Sequence, residues 1–453
     1  MARIIGIRHR IKQTKDRDPK PTQICILHDG KEESFALATE QDELDFVRGV
    51  LPVSYRNVEA DEDLNKFATH QIIGKALKKG EEKGAAPNLV FEVVEDKKKV
   101  KYLAEKVPSA YDGLHLGDSV AMVLGGSGDY FAYALSRRGE EVGAKVYRVP
   151  PSVLKAKRPE KSKDDDAKVL AMLLQNEPGL FYQILPKDRN LIRLRIAYRG
   201  KVDAMKARIA CGQRLLQFEI GQIFTNEQGH FPEGSLEKQF AEKQNNDPGY
   251  QVLEAEEAKL YKEICKCLEE LTIYKQLFQP IQGCGPMIAS RLICAIQDIR
   301  RFSDEVRLDG KIKYGAAKLK SFCGVGLDAK GRFMRRRAGE VANFNPDARQ
   351  ALYLLGDQMN RRPDSEWGQR LRENKVNLRN QHPDVLCKVC GNGTKWADCP
   401  DQKKHTRIYS DGHIHKMAIW RTLSEFVEHL YHEWWNLEGG APRVQTADKA
   451  VNE

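Results

Sequence analysis

Cysteine is scarce, ten residues in a chain of 453. That is too few for a disulfide scaffold, so a reducing, cytosolic compartment is expected. No apolar run approaches the roughly 18 residues that a membrane span needs, which excludes a transmembrane protein. The opening MARIIGIRHRIK carries charge where a secretory leader has an apolar centre, and reads instead as a strand. Apolar residues are not in short supply: at 41% hydrophobic the chain is globular, with length for two to four domains of about 100–200 residues each. Negative charge is outweighed, 64 Asp and Glu against 74 Lys and Arg, a net +10 that fits a protein meeting polyanions.

The first 180 residues alternate strand and helix signals. RIIGI (3–7), QICIL (23–27), VFEVVE (90–95), SVAMVLGG (119–126) and KVYRVP (145–150) are short apolar runs, with a helix over 130–138, so one mixed α/β sheet is predicted. A charged loop, KAKRPEKSKDDDAK (155–168), leads into the helix VLAMLLQ. Helical spacing of Leu191, Leu194, Tyr198, Val202 and Met205, then of Leu260, Ile264, Cys267 and Leu271, predicts an antiparallel helical hairpin over 185–279, with a loop at 226–250. The first helix is basic: Arg193, Arg195, Arg199, Lys201, Lys206 and Arg208. Residues 280–437 read as a helical module containing a linker at 360–383 and a final amphipathic helix at 415–435. The tail, 438–453, has too few apolar residues to order.

Three motifs carry chemistry. GCGPMIASRLICAI (283–296) opens a helix with Gly283 and Gly285, where backbone N–H groups can approach a phosphate. The stretch 313–337 sets Lys313, Lys318, Lys320, Lys330, Arg332, Arg335, Arg336 and Arg337 against one acid, Asp328, with Tyr314, Phe322 and Phe333 interleaved. Cations neutralise phosphates and rings stack on bases. Cys387-x2-Cys390-x8-Cys399-x5-His405 offers four ligands for a tetrahedral, structural zinc, with His413 and His415 as rivals for the fourth place.

In their order these segments resemble those of the bridge-RNA-guided insertion-sequence transposases, the group that includes the Piv-type invertases. GSGDYFAYALSRRG (126–139), RVPPSVLKAKRPEKSKDDDAKVLAML (148–173), and PIQGCGPMIASRLICAIQDIRRF followed by LKSFCGVGL (280–327) carry the likeness. It implies an α/β plus all-α chain: a RuvC-like (RNase H-like) domain at 1–180, a coiled-coil hairpin at 185–279, and a helical Nop- or transposase-like module at 280–437 holding the zinc motif at 387–405.

Both catalytic sets of that family depart here. Arg8 stands where the first metal-binding Asp belongs, Leu124 or Gly125 where the Glu belongs, and Lys163 with Asp166 where the paired Asp belong. An Arg at a metal position repels the ions. Between 322 and 363 there is neither Ser nor Thr, so the family's nucleophilic hydroxyl is missing. The remaining scaffold resembles the nuclease-free Tas proteins of TIGR arrays, relatives of the Nop proteins of box C/D RNA complexes. What this implies is an RNA-guided DNA-binding protein of the prokaryotic or viral cytoplasm, a homodimer with guide RNA and target DNA as partners, structural zinc as cofactor, and no membrane. Two alternatives stand beside it. One is an active transposase or nuclease with a displaced Mg²⁺ site built from Asp164, Asp165, Asp166 and Asp129. The other is a structural RNA-binding protein of a Nop-like complex.

Overall fold

The computed structural model describes residues 3–11, 19–78, 86–95, 98–158, 163–231, 233–306, 312–327, 331, 333–334, 343–391 and 393–439. The chain divides into two units, Met1–Leu185 and Pro186–Glu453.

Unit one begins β1 (Ile4–Arg8), β2 (Thr22–His28), β3 (Lys31–Leu37), α1 (Glu40–Arg48) and β4 (Leu51–Asn57), then β5 (Ile73–Ala76), β6 (Val90–Glu95) and β7 (Lys98–Asp112). It continues with β8 (Ser119–Val123), α2 (Asp129–Val142), β9 (Lys145–Val149), α3 (Pro151–Lys157), α4 (Asp166–Asn176) and β10 (Tyr182–Gln183). Its main sheet runs β10-β9-β8-β1-β2-β3. The β1, β2 and β3 strands are antiparallel, whereas β8 and β9 run parallel to β1.

Alternation along β1 divides its side chains between two layers. Ile5 and Ile7 join Ile24, Phe46, Phe131 and Leu135 on one face. Ile4 packs on the other, with Leu170, Leu173 and Leu174 of α4. Gly6 lies under α4, and a Cβ there would stand 1.9 Å from the Ala167 carbonyl oxygen, so only glycine lets this helix sit against the central strand. Arg8, the next residue on that face, falls at the N-terminal end of α4.

One strand lies in a different sheet from the one its sequence suggested. VFEVVE is β6 of a second, antiparallel sheet, β4-β7-β5 with β6 on β7, which has its own small core of Ile72, Ala104 and Val107. Its long strand β7 carries Lys and Glu on exposed positions and so presents no continuous apolar run.

Unit two holds α5 (Pro186–Phe224), α6 (Leu236–Asn246), α7 (Pro248–Glu269), α8 (Pro286–Ile296), β11 (Glu305–Val306), β12 (Ile312–Lys313) and α9 (Gly315–Phe322). After these come α10 (Pro346–Arg361), α11 (Glu366–Gln381), β13 (Leu386–Cys387), β14 (Arg407–Ile408) and α12 (Asp411–Leu437). The α5–α7 pair is the expected antiparallel hairpin: Arg193 meets Glu270, while Arg208, further along α5, meets Glu257. Its base shares one core with the following helices, in which Leu194, Ile264, Leu268, Leu292, Leu352, Phe426 and Trp434 are all buried.

Two expected loops are helices. Within 226–250 lies α6, and 360–383 contains α11, whose few inward residues include Leu371, Leu378 and a fully buried Asn374 that donates to the Thr422 hydroxyl. A buried triad closes the base: the Arg300 guanidinium binds Asp298 through Nε at 2.9 Å and Asp188 through Nη2 at 2.5 Å. The expected disordered tail lies outside the described residues beyond Gly439.

Candidate metal centre and nucleic-acid surfaces

The four ligands of the Cys/His motif converge. β13 delivers Cys387, and a turn through Gly391 and Gly393, both at positive φ, follows Cys390. A short 3₁₀ turn, Trp396–Asp398, ends at Cys399, and β14 returns the chain so that Cys387 pairs with Arg407. His405 Nδ1 then stands 3.6 Å from Cys387 Sγ, 3.4 Å from Cys390 Sγ and 3.3 Å from Cys399 Sγ. The sulfurs are 3.5 Å apart for Cys399–Cys387 and 3.9 Å for Cys390–Cys399. A tetrahedral zinc with sulfur ligands at about 2.3 Å and nitrogen at about 2.0–2.1 Å requires edges of about 3.8 and 3.6 Å, so the donor set fits this ion.

Burial works to raise the Cys387 thiol, but the backbone N–H groups of Cys390 and Val389 and the neighbouring thiols outweigh it and bring it down to about 6. The same contacts, the hydrogen bond to Cys387 first, push Cys390 up to about 11, so Cys387 is the thiol of this pair that ionises first. The rival histidines are engaged elsewhere. His413 Nδ1 accepts from the Tyr409 N–H at 2.9 Å, and its ring stacks on Tyr409, which itself stacks on His382 at 3.8 Å. His415, on α12, lines a groove against α11 beside Lys375 and Arg379. Burial, then Lys375 and Lys416, hold its pKa down. Among the described residues, no other group of three or more Cys, His, Asp or Glu gathers within metal reach.

The unit-one carboxylates are not so gathered. Asp166 is buried and clamped by Arg158 through two hydrogen bonds of 2.6 and 2.7 Å. Asp164 pairs with Lys20, with Arg8 Nη1 3.8 Å away. Asp129 faces Arg148 Nη1 at 3.5 Å, and Asp165 is exposed just before α4. Three of the four thus already face a protein cation, and Mg²⁺ would have to displace it.

The hairpin cations sort into two groups. Lys201 and Arg208 both bind Glu257, at 3.1 and 2.7 Å, and Arg193 reaches Glu263 and Glu270, so these three tie α5 to α7. Arg195 is buried; Arg199 and Lys206 are exposed, and Lys206 is only 4.0 Å from Asp203. Gly283, at φ +90, lies against Gln358 and Arg362, and Gly285 opens α8 onto free space. Lys318 donates to the Ser303 carbonyl, Lys320 pairs with Glu428, and Lys313 is half-buried on β12. Lys330, Arg332, Arg335, Arg336 and Arg337 lie outside the described residues.

One feature is invisible in the sequence motifs. The Arg349 guanidinium lies 4.5 Å from the ring centres of both Phe344 and Trp420, while donating to the carbonyls of Gly324 and Met334. Phe333 and the exposed Tyr353 each stand 6.5 Å from Trp420. The four-residue step from Arg349 to Tyr353 along α10 was the available signal, but its partner Trp420 comes from α12. Such a sandwich of cation and rings, beside an exposed ring, can stack a nucleobase. No protein-family model matches this chain, and no curated protein does.

Proposed function

We propose that the chain is an RNA-guided DNA-binding protein of the nuclease-free Tas kind, holding a guide RNA against target DNA and leaving the strands intact. The observation that carries this reading is in unit one. Strands β3-β2-β1-β8-β9, three antiparallel and then two parallel, are the order that a RuvC-like sheet has, and its central strand ends in Arg8 where metal chemistry needs a carboxylate. Supporting it are the net charge of +10 and the Arg349–Trp420–Tyr353 surface, which adjoins Gly324 and Met334 in the basic segment. Base pairing through the RNA supplies sequence choice, while the protein reads backbone and shape. The Cys/His centre is structural, holding the β13–β14 loop, and a prokaryotic or viral cytoplasm and a homodimer complete the reading.

The test is purification of the full chain from cells that also transcribe the DNA flanking its gene. A copurifying small RNA that directs binding to complementary DNA, with no cleavage in Mg²⁺, is the expected result. Protein free of RNA, or cleavage that Asp166→Ala abolishes, overturns it. Preference for complementary single-stranded RNA over DNA assigns the chain to the Nop-like alternative.

A further inference from the structure

We propose that the C-terminal end of β1 is a phosphate site, in which Arg8 takes the place that a metal cation has in a catalytic sheet of this order. Arg8 is more than nine-tenths buried. Among the described residues, only its Nη2 finds an acceptor, the Pro21 carbonyl at 3.2 Å. Nε and Nη1 are buried without a hydrogen-bond partner there. The nearest carboxylate oxygen, Asp164 Oδ1, stands 3.8 Å from Nη1, an ion pair but too far for a hydrogen bond.

A buried guanidinium with unmatched donors is costly, so the site is incomplete as it stands. Two neighbours point to an anion as the missing part. Lys20 Nζ converges on the same Asp164 oxygen. The N-cap residue of α4, Asp165, makes no side-chain cap to its first turn, whose amides begin beside Asp164. Asp164 itself is mostly exposed, at 61% of its side chain, and surface pairs of this kind contribute little.

Asp164 therefore behaves as an internal stand-in, filling the anion position without reaching Arg8. A phosphate has more oxygens and a wider span. It can accept from Arg8 and Lys20 together once the Asp164 side chain swings out to water. The chemistry is that of a phosphodiester in a nucleic-acid strand or of free inorganic phosphate. The strand source rests on the function proposed above, but the site itself does not.

The experiment titrates inorganic phosphate into the full-length chain at constant ionic strength by calorimetry, for the native protein, Asp164→Asn and Lys20→Ala. Removing the competing carboxylate is expected to tighten phosphate binding about tenfold, and removing the lysine to weaken it by a similar factor, the worth of one charge-assisted hydrogen bond. Arg8→Lys loses the fork and binds least, but because Arg8 is buried the two exposed variants are the deciding ones. Equal phosphate affinity in all three proteins overturns the proposal, as does Asp164→Asn that melts earlier with no gain in binding.

A second arm repeats the series with a 20-nucleotide single strand. Parallel shifts identify the phosphodiester as the ligand; an unchanged oligonucleotide affinity with shifted phosphate affinity identifies free phosphate. The two readings fail separately. Guided DNA binding without a phosphate response leaves the function standing and removes this site, whereas a phosphate response in a protein that carries no RNA does the reverse.

Discussion

Replacing Cys399 by Ser tests the metal centre most directly. Five of the six edges of the donor set, three of 3.3–3.6 Å for sulfur to nitrogen and two of 3.5 and 3.9 Å between sulfurs, differ from those of an ideal zinc tetrahedron by about 0.3 Å at most. The protein therefore has little rearranging to do when it takes the ion. Structural zinc centres bind with about 10–16 kcal/mol near neutral pH, equivalent to dissociation constants of roughly 10⁻⁷ to 10⁻¹² M. The native chain should accordingly purify with one zinc, which a chromogenic chelator removes only slowly or after thiol modification.

Without the ion, little local structure remains to hold the loop, since β13 and β14 are two residues each. Amide exchange should accelerate around 385–409 in Cys399→Ser. By contrast α12 should keep its protection, because Phe426, Tyr431 and Trp434 are anchored in the main core. Freshly prepared native protein with less than about a tenth of a zinc per chain would refute the reasoning, as would undiminished zinc in the variant.

Three further outcomes follow from particular contacts. Burial alone would raise the Glu43 carboxyl, but His9, Arg10 and Thr22 outweigh it and hold the pKa down at about 2. Set against an ordinary 4.5, that depression contributes about 3 kcal/mol, fully present above pH 4.5 and lost as pH falls toward 2. Glu43→Gln should thus be less stable by about that amount at pH 7 in denaturant titrations followed at β1 and β2, with more than half of the difference gone by pH 3; a pH-independent difference counts against the network. Arg300→Met leaves Asp188 and Asp298 buried without their cation and should cost about 3–5 kcal/mol of unit-two stability; a loss under about 1 kcal/mol in chemical unfolding rejects the triad as a structural element. Tyr353→Ala removes an exposed ring with no core role, so it should leave the melting temperature unchanged while weakening single-strand binding by about 1–3 kcal/mol; equal affinity by anisotropy removes the stacking surface from the proposal.

Elements whose signals are local can be read from residue order alone. Ile5 and Ile7, then Val120 and Met122, mark buried strands because alternation is a property of one strand alone. The hairpin helices announce themselves through 3.6-residue spacing, and the Cys/His motif through ligand spacing that a single loop can close. That position 8 is an arginine and that 322–363 hold neither Ser nor Thr needed nothing but residue identity.

Whatever depends on partners distant in the chain required the folded molecule. Six of the 15 residues of strand β7 are charged, and only pairing with β4, β5 and β6 makes it a strand. Helix α11 shows few apolar positions, because Asn374 fills an inward place by bonding to Thr422 of α12. The sequence puts His405 in the fourth place but leaves His413 as a rival; the turn through Gly391 and Gly393 helps bring His405 Nδ1 to the thiols, while the backbone N–H of Tyr409 occupies that of His413. Lys201 and Arg208 read as free cations on α5 until α7 brings Glu257 between them. A charge in sequence is only a potential ligand, and the carboxylate that folding places within 3 Å or so of it determines whether it is left for a polyanion.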